Sequence, residues 1–292
     1  METTDPYKTI ANIRRLPSLP TVLTHVLDAI DDPDASALDL SRYIAADQAL
    51  SGAVLRLVNS AHYGFYRQIS SVTTAVVILG FVEVRNLVLT AAAYQALSRG
   101  KKHYAHQLWR HSVGVAIAAQ RCARIMRSPP ESSPFVTGLL HDCGKLALDE
   151  LYPSKYREVV ESAEKKGLST RAAEQDAFQL DHTEAGAILA EHWNLPAGVV
   201  EGIRHHHEPE YSRYERKLCS VIAFADYLAY EAGITGENES WSPAFPAASV
   251  MFLDLDERQI GQIRADVEKT GTTVGDILRA LQPEDEQEAP HA

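Results

Sequence analysis

The residues best suited to chemistry are an adjacent histidine and aspartate, His141 and Asp142, in the stretch GLLHDCGK, with Lys145 one turn further on. A His–Asp dipeptide alone is weak evidence, because it occurs by chance in many proteins. Other histidines and one further aspartate on neighbouring predicted helices strengthen it. These additional residues are His111, His182, His206, His207 and Asp226.

Asp226 is the most informative of them on physical grounds. It is the only charged residue between Leu218 and Tyr230, on a predicted helix that is apolar on nearly every face. Burying a lone carboxylate is costly, so such a group is normally paired, protonated or bound to a metal. Imidazole and carboxylate together suit Fe, Mn, Zn, Co or Mg ions. Six such ligands are enough for two adjacent ions that share a bridging aspartate.

Helices must position these side chains, because apolar residues recur at helical spacing and almost never alternate. Asp181 and Glu184 resemble a capping box that opens the helix of His182. Pro196 suits the first turn of the next helix. The predicted helices cover 23–30, two short segments on either side of Asp47, 72–97 with a break at Gly80, 103–126, 134–142, 154–166, 169–178, 182–193, 196–207, 216–232, 256–269 and 272–281.

Composition and length limit how many domains the chain can form. Its 292 residues, 45% of them hydrophobic, can bury one large core or two smaller ones. The polar segment 98–107 is the best boundary. We therefore predict an N-terminal helical lobe over 10–98 packed on a second helical lobe over 103–282, followed by a disordered acidic tail at 283–292.

The charge and the apolar runs of the chain exclude several classes of protein. A net charge of -11 argues against nucleic-acid binding, which needs clustered Lys and Arg. Neither a signal peptide nor a membrane span is expected, so we predict a cytoplasmic protein without membrane partners. Three cysteines without CxxC spacing, Cys122, Cys143 and Cys219, are expected to be reduced and packed in helices.

The pattern His…His-Asp…Asp, with the HDxGK form at 141–145, resembles the HD superfamily of metal-dependent phosphohydrolases. The stretch HTEAGAILAEHWNLPAGVVEGIRHHHEP at 182–209 is similar to the matching part of HD-GYP and HDOD proteins. This resemblance implies one or two divalent transition-metal ions, with Fe or Mn favoured and Zn, Co or Mg as alternatives. It implies catalytic roles for Asp142 and Lys145, with Lys145 near a substrate phosphate or a bridging group. The implied metal ligands are His111, His141, Asp142, His182, His206, His207 and Asp226.

The N-terminal half identifies the subfamily. The segments LPSLPTVL at 16–23, SRYIAADQALSGAVLRLVNSAHYG at 41–64 and SSVTTAVVILGFVEVRNLVL at 70–89 resemble the HDOD signature. Over roughly residues 10–230, the chain is thus similar to all-α bacterial signalling domains, most of which have no established catalytic activity. Because no receiver or cyclase module is joined to it, we expect it to act on signalling proteins in trans.

Two departures from the HD-GYP pattern weigh against hydrolysis of cyclic dinucleotides. The GYP signature is absent after the HHE at 206–208, where the chain reads PEYSRYERK. Gln107 stands one turn before His111, where some HD-GYP proteins carry an extra Glu ligand. The alternative function is a phosphohydrolase acting on a nucleotide or cyclic dinucleotide, in which metal ions would hold the phosphate and lower the pKa of the attacking water.

Some residues have simpler interpretations. Segment 36–58 could be misread as a helix-turn-helix, but its second helix has one Arg and a wide apolar face, which favours core packing. The apolar residues of 72–97 are also expected to form core, and Asn59 and Ser60 to supply turn and cap chemistry. His205 is expected to face solvent. Structural or surface roles are expected for His25, His62, His103, His106 and His192.

Overall fold

The computed structural model describes residues 5–16, 41–42, 44, 47–60, 63–97, 105–126, 133–236 and 242–281. Within these ranges all regular secondary structure is helical, which confirms the predicted all-α class. The chain forms two compact units. The larger unit comprises residues 1–18 and 103–270, and the smaller unit comprises residues 19–102 and 271–292. The predicted division into lobes at 98–103 and the predicted tail remain predictions.

The larger unit contains the candidate site residues. It begins with one N-terminal helix, and the other helices follow after residue 103. Most of their boundaries agree with the predicted ones within two residues. The helices are α1 (Pro6–Ile13), α5 (Ala105–Ile125), α6 (Pro134–Leu140), α7 (Cys143–Leu151), α8 (Pro153–Lys166), α9 (Thr170–Phe178), α10 (His182–His192), α11 (Ala197–His205), α12 (Arg216–Glu231), α13 (Ala247–Phe252) and α14 (Glu257–Glu268).

The smaller unit contains α2 (Gln48–Val58), α3 (Val72–Leu79), α4 (Phe81–Leu97) and most of α15 (Thr270–Leu281). The predicted break at Gly80 is confirmed, because this glycine has a φ of 87° that other residues rarely adopt. Buried Leu50, Val54 and Leu57 place the apolar face of α2 in the core, as expected. Residues 17–40, which include one predicted helix, lie outside the described part.

Asn59 holds the loop after α2 in place. Its side-chain amide donates to the carbonyls of Leu55 and Ile69, and its side-chain oxygen accepts from the Ile69 amide. The expected turn and cap role of Asn59 is therefore confirmed. The expectation that the apolar residues of 72–97 form core holds only in part, because Val77 and Ile78 are exposed.

Local capping chemistry explains where several helices of the larger unit begin. Asp181 accepts hydrogen bonds from the amides of Thr183 and Glu184 and so caps α10. The Glu184 carboxylate accepts from Arg204 of α11. Pro196 lies at the N-cap of α11, one position before the predicted one. Among the helices of the described residues, three have no counterpart in the sequence prediction: α1, α7 and α13.

Helix α7 was missed because it follows α6 after only two residues, so the two apolar patterns merge. Its Gly144 lies against the backbone of α10. A Cβ at Gly144 would lie 2.0 Å from the His182 carbonyl oxygen and 2.5 Å from the Gly186 amide nitrogen. The glycine of the HDxGK motif thus allows α7 and α10 to approach at the positions that carry Asp142 and His182.

The three cysteines, Cys122, Cys143 and Cys219, are free and buried. Burial raises the pKa of each thiol to about 12. Over the part of the chain that the structure describes, no helix is both long and apolar enough to cross a bilayer.

The close approach of α7 and α10 predicts that Gly144→Ala lowers the free energy of unfolding by about 3 kcal/mol, since backbone atoms cannot move aside as a side chain can. Gly261→Ala is the control, because a Cβ there meets nothing within 4 Å inside exposed α14. The control should raise stability by about 0.5–1 kcal/mol through helix propensity. Urea denaturation measures both effects, and equal stabilities for the two variants would contradict this account.

Candidate metal centre

The helices of the larger unit bring all seven predicted ligands together. His111 lies within α5, and Asp226 lies within α12. His141 and Asp142 form the turn between α6 and α7, and His182 is the first residue of α10. His206 and His207 directly follow α11. The clustering is an observation, and the role of these residues as metal ligands remains a prediction.

The potential ligand atoms form three overlapping groups, within each of which the atoms lie within 4.8 Å of one another. Two ligand atoms about 2.1 Å from one ion lie roughly 3.0–3.4 Å apart in octahedral or tetrahedral geometry. His182 Nε2 is 3.1 Å from His207 Nε2 and 3.3 Å from Asp142 Oδ1. The groups are His182, His206 and His207; His111, His141 and Asp226; and His141, Asp142 and His206.

Asp142 lies at the middle of the cluster and connects its two sides. Its Oδ2 is 3.4 Å from His141 Nε2 and 2.9 Å from Lys145 Nζ, while its Oδ1 faces His182 Nε2. His206 Nε2 lies 3.9 Å from the same Oδ1. The two oxygens thus point to different histidines, which is the arrangement a bridging carboxylate requires.

Hydrogen bonds on the far side of the rings orient four of the histidines. Nδ1 of His111 lies 2.8 Å from the Ile234 carbonyl oxygen, and Nδ1 of His141 lies 2.8 Å from that of Gly138. Nδ1 of His206 lies 2.7 Å from the Ile203 carbonyl oxygen. A carbonyl can only accept, so each Nδ1 carries the proton and the Nε2 of a neutral ring keeps its lone pair for the cluster.

For His182 the corresponding acceptor is Glu174, a residue that the sequence analysis missed. Glu174 Oε2 accepts from Nδ1 of His182 at 2.6 Å and from its backbone amide at 2.8 Å. The other carboxylate oxygen accepts from the Tyr156 hydroxyl at 2.7 Å. Glu174 is completely buried on α9. The available sequence signal was its position one turn before the apolar pair Ala177 and Phe178, which places it on the buried face of the helix.

Charges within the cluster oppose the cost of burial. Burial raises the pKa of Asp142, but the charges of Lys145, His182 and His111 outweigh it and hold that pKa well below its usual value. Burial likewise lowers the pKa of His182, but the charges of Glu174 and Asp142 raise it overall. Asp142 is therefore ionised, and His182 would give up a proton on binding a metal.

His111 and Asp226 form a second charged pair. Burial lowers the pKa of His111, but the interaction with Asp226 raises it overall, and His111 in turn lowers the pKa of Asp226. Burial and neighbouring histidines lower the pKa of His206 to about 3 and that of His207 well below its usual value. Burial also lowers the pKa of His141. These last three rings are neutral and can donate lone pairs at physiological pH.

Two buried polar atoms support a fit to metal ions. His206 Nε2 and Asp226 Oδ1 have no hydrogen-bond partner among the described residues, although Asp226 Oδ1 lies 2.9 Å from His111 Nε2. Leaving such atoms unpaired inside a protein is costly. His206 Nε2 belongs to the groups of His182 and His207 and of His141 and Asp142, so an ion in either group would satisfy it, and Asp226 Oδ1 belongs to the separate group of His111 and His141. The donor set of imidazole and carboxylate thus fits divalent transition metals.

A cavity of about 390 Å³ adjoins the cluster. Its lining includes Arg171, whose guanidinium donates to Asp181 at 2.6 Å and to Glu208 at 2.5 Å. The sequence pattern did not indicate Arg171, because it lies 26 positions after Lys145 of the motif. Arg171 connects α9 to the cap of α10 and to the segment that follows His207.

The remaining histidines have no contact with the cluster where they are described. His205 is partly exposed and lies 3.9 Å from Glu201. Nε2 of His192 lies 3.1 Å from the Leu16 carbonyl oxygen, and His106 is exposed. The other three, His25, His62 and His103, lie outside the described residues.

A helical unit with a buried His/Asp cluster on an HDxGK turn is characteristic of the HD superfamily. Residues 16–209 match the HDOD domain family. This match spans more than half of the chain, so the chain belongs to the HDOD family.

Solved structures with similar folds include two at 25% sequence identity. An HDOD domain protein of unknown function from Geobacter sulfurreducens has a TM-score of 0.80, with 95% of this chain and 99% of that chain covered. A proposed phosphohydrolase from Shewanella amazonensis SB2B has a TM-score of 0.75, with 94% and 98% covered.

An uncharacterized protein of Treponema pallidum (strain Nichols) is 30% identical over 219 residues, which are 72% of this chain and 41% of that protein. The chain matched here thus spans about two fifths of the length of that relative. A proposed signal transduction protein from Marinobacter aquaeolei VT8 is 22% identical, has a TM-score of 0.80 and is covered over 60% of its length, against 92% of this chain. The last similarity shows the fold alone.

The position of Glu174 predicts that Glu174→Gln weakens metal binding by about 10- to 100-fold, because the amide removes the charge that makes His182 a better donor. Glu161→Gln, in which an exposed carboxylate of α8 is changed, is the matched control and should bind metal like the original protein. Competition with a chromogenic chelator measures the affinity, and circular dichroism verifies that both variants are folded. Equal affinities in the two variants would show that Glu174 does not support His182.

Proposed function

We propose that this HDOD protein is a non-catalytic signal-transduction module of the bacterial cytoplasm. Its His/Asp cluster would bind one or two divalent transition-metal ions, and it would act on protein partners in trans. The observation that carries the metal part is the orientation of His111, His141 and His206 by backbone carbonyls and of His182 by Glu174. Four rings held with their free nitrogens toward one centre are what a resident metal site needs.

The lining of the cavity supports a non-catalytic role. Among its described residues, the lysine and arginine side chains are Lys145 and Arg171. Lys145 lies 2.9 Å from an oxygen of Asp142, and Arg171 contacts both Asp181 and Glu208. Both cations are already neutralised by carboxylates, so little positive charge besides the ions would remain to stabilise a phosphoryl transition state.

An exposed apolar surface in the smaller unit supports action through partners. Val77 is 81% exposed and Ile78 is 51% exposed on α3, and Val82 is 45% exposed at the start of α4. These residues belong to the segment 70–89 that resembles the HDOD signature. Adjacent exposed apolar side chains are typical of protein–protein contact surfaces.

One observation favours the alternative of a metal-dependent phosphohydrolase acting on a nucleotide or cyclic dinucleotide. Lys145 reaches both Asp142 and the cavity, where its ammonium could stabilise charge on a phosphate. The Shewanella amazonensis protein described as a proposed phosphohydrolase also shares this fold. In this alternative the ions would polarise phosphate and water, while Lys145 would orient the phosphate.

The proposal predicts one to two equivalents of transition metal in protein purified without chelator, with Fe or Mn favoured by the mixed His/Asp ligands. Asp142→Ala should remove most of the metal and lower stability modestly, because binding free energy is shared with folding. Asp176→Ala, in which an exposed aspartate of α9 is changed, is the control and should keep its metal. Elemental analysis measures the content. Less than about a tenth of an equivalent, with no uptake on reconstitution, would reject the site.

We predict negligible hydrolysis of cyclic dinucleotides, linear dinucleotides and nucleoside monophosphates by the metal-loaded protein. Without a GYP loop beside the ions, substrate orientation is poor even when metal is bound. Chromatography of reaction mixtures measures turnover, with His141→Ala and Lys145→Ala as comparisons. Metal-dependent turnover above about 0.1 per second, abolished in His141→Ala and reduced in Lys145→Ala despite retained metal, would establish the phosphohydrolase alternative.

A further inference from the structure

Phe245 is a large aromatic side chain in the wall of the cavity that adjoins the metal cluster. It is 45% exposed and lines the cavity beside the metal cluster, together with Tyr230, Pro243 and Pro246. Exposing this ring to water is unfavourable, and the signalling role proposed above does not require it. The lining of the same cavity includes Asp142, His182 and Lys145. The cavity therefore combines an aromatic wall with the candidate metal ligands.

The Phe245 ring is held in place by two neighbours on α12. Its centroid lies 5.3 Å from that of Tyr227 at an interplanar angle of 82°, and 6.4 Å from that of the fully buried Phe224 at 90°. These edge-to-face contacts are a favourable aromatic geometry. Pro243 and Pro246 restrict the backbone on both sides. A ring held in this way is ordered before any ligand arrives, so stacking on it costs little conformational entropy.

The size of the cavity limits what can stack there. Its volume of about 390 Å³ lies near the lower end of the range of about 300–1,000 Å³ for small-molecule sites. One nucleotide suits this space better than a dinucleotide, which has twice as many bases, sugars and phosphates. The polar side of the cavity also carries Ser169, whose oxygen accepts from the Ala172 amide and whose hydroxyl proton remains available to a ligand.

We propose that this cavity binds a nucleoside monophosphate, with the base stacked on Phe245 and the phosphate directed to the metal cluster and Ser169. This inference rests on the metal centre of the proposed function and adds the ligand that the centre recognises. The bound nucleotide is a signal and is not turned over. Base stacking on an aromatic side chain tolerates different bases, so adenine and guanine nucleotides both bind.

The test compares ligands that share a phosphate and differ in the base. Isothermal titration of the metal-loaded full chain uses adenosine 5′-monophosphate, guanosine 5′-monophosphate, ribose 5-phosphate and a cyclic dinucleotide. Both nucleotides should bind at least about tenfold more tightly than ribose 5-phosphate, which lacks the stacking ring. Phe245→Leu should abolish that difference, whereas Phe245→Tyr should keep it.

Phe252→Leu is the matched control, because Phe252 is 44% exposed but does not line the cavity. It should bind nucleotides like the original protein. Equal binding of ribose 5-phosphate and the nucleotides, tighter binding of the cyclic dinucleotide, or unchanged nucleotide binding in Phe245→Leu would each overturn the proposal. Metal analysis of the titrated sample distinguishes a failure of this inference from a failure of the proposed function. If the protein contains metal but binds no nucleotide, this inference alone is refuted. If the protein contains no metal, the proposed function is refuted as well.

Discussion

The burial of charge at Asp142 is the constraint on which the larger unit depends. This carboxylate is only 3% exposed, yet its interactions with Lys145 and His182 keep it ionised. A buried carboxylate destabilises a fold unless partners surround it, and those partners must arrive from several helices at once. The positions of α6, α7 and α10 therefore bring polar partners to a carboxylate that has lost its contact with water. A metal ion between these groups would be a further partner for it.

The same constraint explains the small residues around the cluster. Gly144 lets α7 approach the backbone of α10, so that Asp142, just before α7, meets His182, the first residue of α10. A Cβ at Gly138 would lie 2.9 Å from Ala116 Cα, which shows how closely α6 packs on α5. Glycine at these positions contributes little local stabilisation and lowers the intrinsic helix propensity of the segment. Its benefit is that the rings of His111 and His141 lie close together, with their centroids 5.3 Å apart.

The orientation of the histidines depends on a layer of acceptors that has no obvious motif. The carbonyls of Gly138 and Ile203 orient the rings of His141 and His206. In each case the histidine lies three residues after its acceptor, directly after the same helix. The carbonyl of Ile234 and the carboxylate of Glu174 come from other segments of the chain. Because these acceptors fix which ring nitrogen faces the cluster, they determine whether a set of histidines can serve as ligands at all.

The sequence by itself determined the helical class, most helix boundaries and the identity of the clustered residues. Apolar periodicity reports which face of a helix is buried, and the lone charge of Asp226 within an apolar helix marks a group that needs a partner. Only the tertiary structure decided which partners meet. Glu174 and Arg171 lie in an ordinary amphipathic helix, and Phe245 lies in a proline-rich segment, so nothing in their local sequence points to the cluster. Their roles arise from contacts between segments distant in the chain, which periodicity cannot encode.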